Sequence, residues 1–166
     1  MEKYIQTVKD EFPYLFGEYG FKVVFREEEE IQGFGRGGDA FGLESDIFKV
    51  RILFTRRGGG DGIMFGPISA SFYVDDPSSY MITNKPFEWV GLPNLLWYLN
   101  RQHTDWSELE QERKKPLLKR DTARVSFRIL SRLLKPHCPR VFEMFSSPEA
   151  ITAWKPDYKR YIREHD

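Results

Sequence analysis

The sequence predicts an α+β fold: an amino-terminal helix, a four-stranded, mainly antiparallel sheet, and a helical carboxy-terminal half packed on or beside that sheet. Three observations carry this. Between Ile47 and Val74, two runs of β-forming residues flank the turn Gly58-Gly59-Gly60-Asp61-Gly62. Upstream, apolar residues from Tyr4 to Tyr19 recur at helical spacings, and from Leu92 onward the apolar period changes from two to nearly four.

Tyr4, Ile5, Val8, Phe12, Leu15, Phe16 and Tyr19 mark one face of a helix over 1–20, with Pro13 as a break or restart. Gly20 can take the left-handed conformation that closes a helix, and Phe21 to Arg26 has the β-branched and aromatic content of a strand. A polar, glycine-rich connection follows, and Ala40 to Ser45 is the second strand. In the hairpin, Ile47, Lys49, Arg51, Leu53 and Thr55 alternate with Phe48, Val50, Ile52, Phe54 and Arg56, giving one apolar and one mixed face. Four consecutive strands over 21–74 with short links favour an antiparallel meander, which Asp75-Asp76-Pro77-Ser78-Ser79 ends. Over 92–166 the chain is mainly helical. Leu92, Leu95, Leu96 and Leu99 form one stripe behind a first-turn Pro93. A second helical region starts near Trp106, is interrupted at Pro116, and resumes through Leu118, Val125, Ile129, Leu130, Leu133 and Leu134 until Pro136. Ser147-Pro148-Glu149 supplies an N-cap, a first-turn proline and an acidic first turn for a last helix, disturbed at Pro156.

At 166 residues the chain reads as one domain, 1–166, a length that buries about 70% of the unfolded surface. One cysteine, Cys138, allows no intrachain disulfide, and with no signal-peptide core after Met1 and no run of about 18 apolar residues, a cytoplasmic protein without a membrane span is expected. The formal net charge is zero but unevenly spread: residues 1–50 hold 11 acidic against 6 basic side chains, residues 101–140 hold 5 acidic against 11 basic. Such a dipole either orients a charged partner or reflects two regions that face each other in the fold.

Arg120, Arg124, Arg128 and Arg132 recur every four residues and form a slowly drifting basic ridge on a helix, able to engage phosphates or carboxylates bidentately, or else a solvated or internally paired face. Glu28, Glu29 and Glu30, within the run Glu27 to Glu30, offer an acidic surface to a basic partner or form a solvated strand end. Gly33-x-Gly35-x-x-Gly38 has the letters of a dinucleotide fingerprint, but strands rather than a helix are expected after it. His103, His137 and His165 show no paired ligand spacing, and His137-Cys138 between Pro136 and Pro139 suits a loop or helix end better than thiol chemistry. Aromatic residues between Tyr80 and Trp89 lie in a long connection where an exposed ring could anchor a partner. No catalytic residue, metal ligand or cofactor is assigned.

The segment Phe12-Pro13-Tyr14-Leu15-Phe16-Gly17-Glu18-Tyr19-Gly20-Phe21, then a strand, Glu44-Ser45-Asp46, another strand and a basic hairpin turn, resembles a loose pattern in small uncharacterised bacterial α+β proteins. Some of those look like immunity proteins of toxin systems. The resemblance covers roughly the first hundred residues, brings no catalytic motif, and departs from this chain after Trp106. The resulting expectation is a non-enzymatic protein that binds another macromolecule, a protein partner first, with an immunity-like or accessory role implied by the resemblance. The alternative is a nucleic-acid or nucleotide binder using the arginine ridge. A third reading, an enzyme assembled around His103 or carboxylates, needs a deep pocket joining His103 to an acidic partner.

Overall fold

In the computed structural model, which describes residues 1–28, 38–55, 62–72, 89–116 and 122–165, the predicted first helix is two. Helix α1 (Glu2–Glu11) and α2 (Pro13–Gly17) divide at Phe12, whose φ of −121° and ψ of 49° leave the helical region. Pro13 therefore opens α2, at a position whose N–H has no intrahelical partner to lose. Gly20 turns the chain out at φ 68°, and the Phe21 N–H donates back to the Leu15 carbonyl at 2.9 Å.

The sheet has five strands, one more than the sequence predicts: β1 (Lys22–Glu28), β2 (Gly38–Glu44), β3 (Phe48–Thr55), β4 (Gly62–Pro67) and β5 (Val90–Gly91). All neighbours are antiparallel in the order β1-β2-β3-β4-β5. The two-residue β5 is too short to show an alternation, which is why it reads as connection in the sequence. Leu53 pairs with Gly62, closing the predicted hairpin, although residues 56–61 of its turn lie outside the described residues. So does the predicted sheet terminator at 75–79; the last long strand, β4, ends at Pro67. Across the central strands Phe41, Ile52 and Ile63 align, as do Leu43, Val50 and Phe65, and all six are buried on one face.

The opposite face is covered in part, which sequence alternation alone does not reveal. Phe72 lies on Gly42, where a Cβ would stand 2.4 Å from the ring, and Trp89 lies on Gly66, where a Cβ would stand 2.8 Å from the indole. These two glycines are the absence of side chains that lets the rings lie flat on the strands. Phe25 stacks on Phe72 at 5.3 Å, the Lys49 ammonium sits 5.1 Å from the same ring, and the Trp89 indole donates to the Ser71 carbonyl at 3.0 Å. Trp89, 5% exposed, is thus a packing residue and not the exposed loop anchor its sequence context suggested.

Helices α3 (Leu92–Asn100), α4 (Ser107–Lys114), α5 (Thr122–Leu134), α6 (Cys138–Met144) and α7 (Pro148–His165) make the second layer. Leu92, Leu95 and Leu96 bury the predicted stripe of α3. On α5 the buried apolar side chains are Phe127, Ile129, Leu130 and Leu134, while Val125 and Leu133 lie at the margin. Pro136 ends α5 in a 3-10 turn, Lys135–His137, which leads directly into α6. Ser147 Oγ accepts the Ala150 N–H at 3.1 Å, the predicted N-cap of α7, and α7 continues through Pro156 to His165. One aromatic cluster joins the layers: Phe48 of β3 meets Phe142 of α6 at 4.7 Å, and Phe21 and Phe145 at 5.2 and 5.5 Å.

Candidate functional site

An α-helix advances 100° per residue, so residues four apart drift by about 40°. The arginines of α5 show that drift. From Arg124 through Arg128 to Arg132 the side chains become 41%, 56% and 63% exposed as the ridge turns away from the buried stripe. Each meets a carboxylate of a neighbouring helix. Arg124 lies 3.9 Å from Glu11 and 4.0 Å from Asp10; Arg128 reaches both Glu11 oxygens at 3.4 Å; Arg132 reaches Glu108 of α4 at 2.9 Å. The acidic amino-terminal and basic middle segments therefore face each other here. Glu11 ends α1, where the helix dipole disfavours a carboxylate, and Arg128 offsets this. Beneath the ion pairs, Ser131 Oγ donates to the Glu11 carbonyl and Tyr14 donates to the Ser131 carbonyl at 2.9 Å. Burial raises the Tyr14 hydroxyl well above its ordinary pKa, so it stays a donor.

Of the other residues singled out by sequence, Glu28 is the last residue of β1, while Glu29, Glu30 and Arg120 lie outside the described residues. Gly33 and Gly35 lie outside them too, and Gly38 opens β2, so no helix follows that glycine pattern. Cys138 begins α6 and is 2% exposed; burial pushes its thiol up to about 12, which keeps it protonated and unreactive near neutral pH. Among the described residues, no group of three or more His, Cys, Asp or Glu side chains is placed to hold a metal ion.

A second polar constellation lies where the end of α3 meets α7. Trp97 and Arg101 are four residues apart at the end of α3; on α7, Asp157, Tyr161 and His165 recur every four residues and share one face. The His103 ring stacks on Trp97 at 4.2 Å, and the His165 ring stacks on Tyr161 at 4.2 Å. Trp97 and Tyr161 meet edge to face at 5.6 Å, joining the two stacks. The Arg101 guanidinium lies 4.4 Å from the Tyr98 ring and 4.4 Å from the Tyr161 ring. A cation held by two ring faces is stabilised by their negative quadrupoles.

Asp157 organises the polar edge of this cluster. It accepts from the Tyr98 hydroxyl at 2.9 Å and from Arg101 at 3.3 Å, and pairs with Arg160. The Tyr98 hydrogen bond first, then Arg101, holds its carboxyl below the usual Asp range. Burial raises the Tyr98 hydroxyl, and the hydrogen bond to Asp157 adds to that. Arg101 is the one non-glycine residue among the described residues with a left-handed backbone, φ 57° and ψ 24°. It occupies the helix-end position where glycine is favoured, at a cost of about 1–2 kcal/mol for a side-chain-bearing residue. That cost is met by a residue whose side chain remains half exposed.

His103 stacks on an indole, and no ion pair among the described residues engages it. Sequence reasoning saw Trp97 and His103 only singly; the spacing Trp154, Tyr158, Tyr161, His165 is the helical signal that could have marked the α7 face. The pairing of α3 with α7 had no counterpart in sequence. Among the described residues no helix is long and apolar enough to cross a membrane. Comparison with protein-family models, with curated proteins and with solved structures finds no match for this chain.

Proposed function

We propose that this is a non-enzymatic, cytoplasmic protein that works by binding a protein partner, and that the α3–α7 face is the contact. The observation that carries the reading is the edge of this face, where Arg101 is half exposed over the buried Tyr98 and Tyr161 rings, beside the exposed His103 stacked on the partly buried Trp97. An arginine held on two packed rings loses little conformational entropy on association, so contact with it is converted efficiently into affinity. An immunity-like or accessory role, implied by the amino-terminal resemblance, is the specific form proposed for that binding.

The reading of the α5 ridge as a nucleic-acid or nucleotide site has less to draw on. Arg124, Arg128 and Arg132 would have to exchange Asp10, Glu11 and Glu108 for phosphates, and those carboxylates would repel a phosphate backbone. The experiment is a tagged pull-down from the native organism's lysate, with and without nuclease, using the wild type and Trp97→Ala. A stoichiometric protein that survives nuclease and is lost with Trp97→Ala is the expected result. Nuclease-sensitive material released by moderate salt would overturn it in favour of the ridge.

A further inference from the structure

We draw no further inference here: the strongest candidate, the surface patch where the exposed His103 and His165 rings stack on Trp97 and Tyr161 at the junction of α3 with α7, belongs to the face already described, and nothing in the structure shows what covers it.

Discussion

Arginines serve two different ends in this molecule. On the α1–α5 seam, Arg124 and Arg128 meet Asp10 and Glu11 across a helix–helix boundary, above a buried layer where Phe12 and Phe127 pack edge to face at 6.3 Å. On the α3–α7 face, Arg101 lies on two tyrosine rings, in a backbone conformation that disfavours it. The seam matches charge to charge between elements and needs no strain. The other face holds a cation with two uncharged rings as well as a carboxylate, Asp157. Counting arginines and their spacing draws attention to the first region; only their surroundings distinguish an arginine held by carboxylates alone from one held by rings and a carboxylate together.

That distinction can be broken at several points. The largest effect is expected from Phe127→Ala, which should cost about 3–5 kcal/mol in denaturant unfolding because it opens a cavity under the seam. A much smaller loss would mean that the ion pairs, and not the buried layer, hold α5 to α1. Next, Tyr98→Phe removes the hydroxyl that bonds Asp157 and should cost about 1 kcal/mol, with the ring contacts to Arg101 retained. A cost near zero would show that solvent replaces that bond and that Asp157 does not organise the face.

Smaller still is the coupling within the seam. Arg128 is 56% exposed, so a double-mutant cycle of Arg128→Ala with Glu11→Gln should return only about 0.5 kcal/mol, falling further in high salt. A coupling several times larger and insensitive to salt would assign the seam a stabilising role that its exposure does not support. Last, the depressed pKa of Asp157 gives a pH signature of the other face. A carboxyl with a lowered folded pKa contributes stability that is fully present above its unfolded value, about 3.9, and is lost as pH falls through the folded value. The stability difference between wild type and Asp157→Asn should therefore hold from neutral pH to about 5 and shrink as acid is added below about 4. A difference that persists unchanged into strong acid would show that the charge of Asp157 is not what Tyr98 and Arg101 stabilise.

Much of the fold is legible in local sequence because its signals are local. The alternation through Phe48, Val50 and Ile52 gave the buried face of β3, Gly20 gave a left-handed turn, and Ser147-Pro148 gave the start of α7. Where a feature depends on a distant element, that legibility ends. Gly42 and Gly66 look like weak points in strands until Phe72 and Trp89 are seen lying on them. The four-residue recurrence of arginines on α5 was plain, yet the residues that meet them, Asp10, Glu11 and Glu108, come from two other helices. The α3–α7 face was less legible still, since it joins residues more than fifty positions apart, as in the contact of Tyr98 with Asp157.

By itself the sequence determined the class of fold, the order of helices and main strands, the antiparallel hairpin and the inward face of the sheet. These follow from periodicity, from glycine and proline conformations, and from capping, all of which act within a few residues. Tertiary structure alone decided the short fifth strand, the covered outer face of the sheet, the charge pairing of α1 with α5, and the assembly of Trp97, Arg101, Asp157 and Tyr161 where α3 meets α7. Those features depend on which elements pack against which, and the energy that selects such packing is spread over buried contacts between residues far apart in the chain.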